Sequence, residues 1–366
     1  MNGHMRTRLI ILLLTLLVLF TLSGGYVVGG LQSYSRYQQS SFANQEHCGD
    51  QPPVHICVRV PTAIFSAYYP YYVASQYPLF TIEYSSSSPI ELVVSMSIKG
   101  MSQVQVQTIN ATNNLQSVSI LPPLIPQDFR KLTFEDHTSL RVQVTDNNKH
   151  LYYLNDIPLL LHSRWVMQWV TANRLNIAAW VTPNDPAVGA LVLKAANHLP
   201  LEPPPVPPAL VGYSKANARE VIAQVDAIYD ALRVDYKIRY LQASVPYSGP
   251  GNASAATQNI KLPSEVLQQG SGMCIELTLL LASAVEHIGL HAEIVIIPGH
   301  AFLGVAVTPD DKHFEYWDAV QINNNVVGDS ANVATDSFYT INAQQHTVID
   351  TILISDARNA NIDAML

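Results

Sequence analysis

The chain has 366 residues, a formal net charge of −8 and only 13% charged residues, well below the about 25% of average soluble domains. Its lysine and arginine residues form no cluster, so the charge pattern argues against nucleic acid as a partner. The length leaves room for about two domains. We expect no cofactor and no metal, because the sequence contains no P-loop, no HExxH motif and no pair of CxxC motifs.

The N-terminal segment predicts a membrane anchor. Leu9 to Val28 is apolar and uncharged, and a helix of about 20 such residues spans a bilayer core. Arg6 and Arg8 precede it, so the positive-inside rule leaves the N-terminus in the cytoplasm. A signal peptide cleaved near Thr21 to Gly25 is the alternative. We therefore expect residues 1–31 to be a cytoplasmic tip and transmembrane anchor, in a single-pass membrane protein whose bulk is extracytoplasmic.

Residues 32–53 are polar and are predicted to be a stalk, rich in Ser, Gln and Tyr. In residues 54–160 short β-rich segments alternate with turns rich in Ser, Asn, Asp and Pro. Their spacing of about ten residues predicts an all-β, sandwich-like extracytoplasmic domain. The predicted strands are Ile56–Val60, Phe80–Tyr84, Ile90–Ile98, Gln103–Ile109, Gln116–Ile120, Lys131–Phe134, Ser139–Val144 and Leu151–Leu154.

Three cysteines are present, and two of them lie close together in the sequence. Cys48 and Cys57 are separated by a short polar loop containing Pro52 and Pro53, so they can form a disulfide. Two free thiols are the alternative, because a disulfide depends on the compartment. A Cys48–Cys57 bridge leaves Cys274 as the unpaired thiol, which is what a nucleophile requires.

Residues 161–209 are predicted to connect two domains. Asp185 begins a helix that continues through His198, with proline in its first turn. Pro203 to Pro208 is a stiff, proline-rich spacer. The next predicted helix is Lys215 to Val234, capped by Ser214, and its apolar residues recur at helical spacing.

A second, more apolar helix begins at Cys274, directly after the glycine-rich run Gly270 to Met273. Ile275 to Ile288 has helix formers and no proline, is apolar almost all round, and ends at Gly289. A thiol in the first helical turn lies at the positive end of the helix dipole, which favours the nucleophilic thiolate. The glycines before it predict a close approach of the backbone to a substrate.

Three predicted strands follow this helix and supply a histidine and a carboxylate. They are His291–Ile297, a strand headed by His300 and continuing through Val307, and His313–Asp318. The imidazole would hold the thiolate as an ion pair and protonate the leaving group, while the carboxylate fixes its tautomer. A buried structural cysteine and a strand histidine with an ordinary partner are the alternative.

Four segments carry a family pattern: Leu262–Glu276, Gly289–Glu293, Gly299–Phe302 and Tyr316–Asp318. With a Gly-x-Cys at a helix start, a His-Ala-aromatic strand and an aromatic-Asp strand, the sequence resembles the bacterial transglutaminase-like superfamily, which has a papain-like core. The resemblance implies that Cys274, His300 and Asp318 are the catalytic residues. It covers roughly Ser214 to Asp318.

Two further positions bear on this resemblance. Phe302 stands where the family usually has tryptophan after His-Ala. Gln268 stands where papain-like enzymes place an oxyanion-hole glutamine, and we assign it that role, although Gln269 competes for it.

Together these features predict an α+β fold class. A transglutaminase-like core, residues 210–366, would pack a central helix with an N-terminal cysteine on an antiparallel sheet, after a β-sandwich-like domain and one transmembrane helix. The expected function is membrane-anchored, extracytoplasmic thiol acyl transfer on peptide or cell-envelope amide bonds, by hydrolysis or transamidation. The alternative is a catalytically silent module that serves as a binding or assembly domain at the cell surface. The oligomeric state stays open.

Overall fold

A computed structural model describes residues 44–169, 171–199, 209–214, 216–242, 256–297, 299–323, 334, 338 and 350–365. The first part of this chain is mostly β-structure. Its elements are β1 (Asn44–Gln51), β2 (Val54–Pro61), β3 (Ala63–Phe65), α1 (Tyr69–Ala74), β4 (Phe80–Ser86), β5 (Ile90–Ile98), β6 (Gln105–Ala111), β7 (Gln116–Ile120), α2 (Pro126–Lys131), β8 (Asp136–Asp146) and β9 (Leu151–His162).

These strands form two sheets, one in the order β1-β2-β4-β7 and the other in the order β3-β9-β8-β5-β6. Neighbours are antiparallel except β3 and β9. Successive side chains of a strand point to opposite faces, so an alternating sequence buries one face. In β5 every second residue from Leu92 to Ile98 is buried, as the alternation predicts.

The second part of the described chain is richer in helices. Its elements are β10 (Val166–Trp169), a 3-10 helix (Thr171–Trp180), α3 (Pro186–Ala195), α4 (Ala218–Val234), β11 (Arg239–Tyr240), β12 (Ala256–Asn259), α5 (Pro263–Gln269), β13 (Ser271–Gly272), α6 (Cys274–His287), β14 (Ala292–Ile297), β15 (His300–Ala306), β16 (Phe314–Trp317), a 3-10 helix (Ala319–Asn323), β17 (Asp350–Leu353) and α7 (Ile354–Asn359).

Local capping explains where the longer helices begin. The Asp185 side chain accepts a hydrogen bond from the Ala187 amide at 2.9 Å, and proline occupies the first turn of α3. Helix α4 begins with a capping box. The Asn217 side chain accepts a hydrogen bond from the Glu220 amide, and the Glu220 carboxylate accepts one from the Asn217 amide. The predicted cap at Ser214 was therefore three residues too early.

Helix α6 is the centre of the second part. It packs against strands β15 and β14 and against helices α3, α4 and α5, and every residue from Ile275 to Val285 is buried. The adjacent sheet has the order β16-β15-β14-β17, with all neighbours antiparallel. The hydroxyl of Thr278 donates to the carbonyls of Cys274 at 2.8 Å and Ala301 at 3.2 Å, which ties the start of the helix to β15.

The predicted fold class needs correction. The structure is mixed α/β with several sheets, and a papain-like core is not shown. Local sequence patterns could not predict this arrangement, because strands far apart in the sequence pair with each other. Strand β10 pairs with β12, some ninety residues later, and β3 pairs in parallel with β9. Asn44 to Leu366 form one compact unit. The predicted divisions at residues 54, 161 and 210 stay predictions.

The prediction of a single-pass membrane protein is also corrected. Among the described residues, no helix has the length and apolar character needed to cross a membrane. The predicted span, Leu9 to Val28, and the predicted spacer, Pro203 to Pro208, lie outside the described residues. Within the predicted stalk, residues 44–51 form strand β1.

Candidate active site

Cys274 is the first residue of α6, and its thiol is free and partly exposed. The amide groups of the first helical turn have no partner within the helix, and the helix dipole adds positive potential there. Both effects favour a negative charge at this end of the helix. Met273 before it is extended, with φ −76° and ψ 168°, so the chain turns into the helix at the thiol.

Glu276 completes this helix start and is not free for catalysis. Its buried carboxylate accepts hydrogen bonds from the amides of Met273 and Lys261, each at 2.9 Å, and lies 3.4 Å from Lys261 Nζ. The negative charge two residues after the cysteine is therefore paired with a lysine and two amide donors. This arrangement satisfies the buried charge and fixes the first turn that carries Cys274.

His300 begins strand β15, next to the turn that joins it to β14. The two strands pair from Ala292 opposite Val305 to Ile297 opposite His300, and Gly299 in the turn has φ +78°. This left-handed conformation is readily adopted by glycine. The hairpin therefore fixes the position of the imidazole at one end of the sheet that packs on α6.

Asp318 lies directly after β16, and its carboxylate Oδ2 is 2.9 Å from His300 Nε2. Its other oxygen accepts a hydrogen bond from the Val320 amide at 2.9 Å. Trp317 beside it is fully buried and donates from its indole N–H to Asp226 at 2.9 Å. The carboxylate is thus held on both sides, and its position next to the imidazole follows from the β15–β16 pairing.

The electrostatics of His300 connect all three predicted residues. Burial is the largest influence and lowers its pKa, but the hydrogen bonds to Asp318 and Cys274 and the charges of both raise it, from 6.5 to about 10. Nε2 is bonded to Asp318. Asp318 and Cys274 therefore both favour the protonated imidazole at neutral pH.

Gln268, the predicted oxyanion donor, lies on α5, six residues before Cys274, and its side chain is exposed. The side chain of the competing Gln269 accepts a hydrogen bond from Lys261 Nζ at 3.2 Å. The exposure of Gln268 is compatible with a donor that faces a bound substrate, and its oxyanion role stays a prediction.

Tyr240 is near the site and was missed by sequence reasoning. It lies on β11, which pairs in parallel with β13 so that Tyr240 is opposite Gly272. Burial raises the pKa of Tyr240, and the charges of Cys274 and Asp318 raise it further. The phenol is therefore close to both groups. No local signal marks it, because a two-residue strand has no periodicity.

The fold explains why the two residues Gly270 and Gly272, before Cys274, are glycine. Gly270 ends α5 in the left-handed conformation, with φ +68°. Gly272 is buried, and a Cβ there would lie 3.0 Å from Leu277 Cδ2 and 3.2 Å from Val266 Cγ1. A close approach to substrate is thus not needed to explain either residue.

Phe302 is buried on the same strand as His300, and the two rings are 5.9 Å apart. It also meets Tyr316 edge-on, with centroids 6.0 Å apart. Phe302 therefore places an aromatic ring near the imidazole, at the position where the resemblance to the transglutaminase-like superfamily implies tryptophan.

No protein-family model, curated protein or solved structure matches this chain. The chemistry available to the site therefore has to be inferred from its own residues. A thiol at a helix start, an imidazole whose pKa that thiol raises and a carboxylate that orients the imidazole can perform nucleophilic attack followed by protonation of a leaving group.

Proposed function

We propose that this chain is a thiol acyl-transfer enzyme of the transglutaminase-like type, with Cys274 as nucleophile, His300 as acid and base, and Asp318 as the group that orients His300. The observation that carries the proposal is the position of His300, which hydrogen-bonds Asp318 at 2.9 Å and whose pKa both Asp318 and Cys274 raise. The substrate class is a peptide amide.

The reaction begins with attack of the Cys274 sulfur on the carbonyl carbon of the amide. The carbonyl π electrons move to oxygen, and the amide groups at the start of α6 can donate hydrogen bonds to that charge. The C–N bond then breaks, and the nitrogen leaves as an amine that takes a proton from His300. The product is a thioester on Cys274 with neutral His300.

The second half of the reaction removes the acyl group. Neutral His300 takes a proton from water or from a primary amine, whose oxygen or nitrogen attacks the thioester carbon. The C–S bond breaks, the electron pair returns to Cys274, and the thiolate–imidazolium pair is restored. Water gives hydrolysis, and an amine gives transamidation.

Trapping the acyl-enzyme tests the proposal directly. The full chain is incubated with a glutamine-containing peptide, and the Cys274 peptide is examined by mass spectrometry. We expect acylation of Cys274 with release of ammonia, and loss of both in Cys274→Ala and His300→Gln. His313→Gln is the matched control, because that exposed histidine precedes β16 and lies outside the site.

A primary amine separates the two reactions. Ammonia release with no incorporated amine indicates hydrolysis, whereas incorporation of the amine into the peptide indicates transamidation. Absence of any Cys274 adduct, with peptide binding retained, would contradict the enzyme proposal and favour a binding module.

A further inference from the structure

The outer face of the β1–β2 hairpin carries a second sulfur site, far from Cys274 in the sequence. Alternate residues of a strand point to the same face. On this face, three residues of β1 lie opposite three residues of β2. The cross-strand pairs are Glu46 with Arg59, Cys48 with Cys57, and Asp50 with His55. The central pair is a disulfide.

His55 connects a carboxylate to this disulfide. Its Nδ1 is bonded to the Asp50 carboxylate, and its Nε2 is 3.3 Å from Cys57 Sγ. The carboxylate fixes the ring so that the second nitrogen faces the sulfur. A protonated His55 can therefore deliver a proton to Cys57.

The two sulfurs differ in access. Cys48 is exposed on β1, the edge strand of its sheet, whereas Cys57 is only 7% exposed. An external thiolate attacks one sulfur of a disulfide and expels the other. Here the accessible sulfur is Cys48, so Cys57 is the leaving group, and Cys57 is the sulfur that His55 contacts.

The carboxylates near the disulfide make a proton donor useful to the sulfur that leaves. Glu46 lies close to both sulfurs, and Glu83 on β4 is opposite Cys57. Arg59 is shared between these two carboxylates, at 3.0 and 2.9 Å. Carboxylates oppose the formation of a thiolate beside them, so expulsion of the Cys57 sulfur is easier when it takes a proton as it leaves.

We propose that Cys48 and Cys57 form a thiol–disulfide exchange site, with an external thiol as the co-reactant and His55 as the proton donor. This activity goes beyond acyl transfer at Cys274 and does not depend on it. Because the two sulfurs are bonded to each other, they are not thiolate ligands, which distinguishes the site from a metal site formed with Glu46.

The exchange balances in two steps. In the first, the thiolate RS⁻ forms a bond to Cys48 Sγ, the Cys48–Cys57 bond breaks, and its electron pair goes to Cys57, which takes the proton from His55 Nε2. In the second, another thiolate attacks the external sulfur of the mixed disulfide and expels Cys48. The protein disulfide gains two electrons, and two RSH are oxidised to RSSR. The two protons that the RSH molecules lose on forming thiolates return to His55 and to the Cys48 thiolate.

Reduction of the full chain by 2-mercaptoethanol tests this. Samples are quenched with an alkylating agent at intervals, and peptide mapping assigns each modified cysteine, so that Cys274 is read separately. We expect the mixed disulfide on Cys48. In His55→Gln we expect the reduction rate to fall at least about tenfold, the low end of general-acid contributions.

Two further variants keep the test decisive. His47→Gln is the control, since His47 is on β1 between Glu46 and Cys48 and therefore points to the other face; its rate should equal wild type. Asp50→Asn should lower the rate without disturbing the fold, because that carboxylate is 76% exposed. The proposal is overturned if the mixed disulfide forms on Cys57, or if His55→Gln is reduced at the wild-type rate.

Discussion

Replacing Asp318 with Asn removes the charge that faces His300 and should shift the titration of that histidine. In the native chain burial lowers the pKa of His300, but Asp318 and Cys274 together raise it to about 10 from 6.5. Two opposite charges about 4 Å apart attract by about 4 kcal/mol at an effective dielectric constant of about 20. The His300 side chain is 25% exposed, so we expect about 2 to 4 kcal/mol.

At about 1.4 kcal/mol for each pKa unit, this loss lowers the pKa of His300 to between about 7 and 8.5 in Asp318→Asn. The raised pKa of His300 also makes the stability of the folded protein depend on pH. A folded-state pKa above the unfolded value stabilises the protein fully below pH 6.5, and the contribution disappears as pH rises through about 10. The variant should therefore be less stable than wild type at pH 7, and the difference should vanish above pH 10.

Nuclear magnetic resonance of the imidazole, titrated from pH 5 to 11, measures the pKa, with His300→Gln used to assign the signal. Denaturant unfolding at neutral and high pH measures the stability difference. Asp311→Asn is the control: Asp311 is 2.6 Å from His291 and lies in the turn beyond the far end of β15, so His300 should titrate as in wild type. A pKa that stays near 10 in Asp318→Asn would refute the assignment of Asp318 as the group that holds the imidazolium.

Three other outcomes are expected. His300→Ala should slow alkylation of Cys274 by iodoacetamide at neutral pH about tenfold or more, since the ion-pair partner is lost; an unchanged rate contradicts the pair. Tyr240→Phe should change acyl transfer while leaving the fold intact, because the charges of Cys274 and Asp318 act on the phenol; equal kcat and KM would remove it from the site. Gly272→Ala should destabilise the fold by about 1–3 kcal/mol through overpacking, measured by denaturant unfolding. Gly189→Ala in α3 should instead stabilise it by about 0.5–1 kcal/mol, because the nearest atom to the added Cβ would be 3.5 Å away.

Local patterns predicted several elements well, where the signal was strong. The strand Ile90–Ile98 and the strand Gln116–Ile120 have the predicted bounds. The helix after Asp185 begins where its cap and proline indicated. Each of these depends on alternation or capping within about ten residues, which the sequence contains in full.

Other elements were wrong where two local signals competed. Lys131–Phe134 was predicted as a strand, but Pro126 begins helix α2, which runs through Lys131, because proline suits the first helical position. The local pattern of Ile238 to Val245 predicts a strand, but among the described residues of this run only Arg239 and Tyr240 are in one. Their pairing partner is β13, about thirty residues later.

The sequence by itself determined the chemical groups and the order in which they occur: a thiol that begins an apolar helix, a histidine that begins a strand, and a carboxylate that follows the next strand. Helical and strand periodicity are local properties, so they could be inferred without the fold. The tertiary structure decided the 2.9 Å contact between His300 and Asp318 and the His55 contact with Cys57. Those contacts depend on sheet register and long-range packing, and a shift of one residue in register would turn each side chain to the other face.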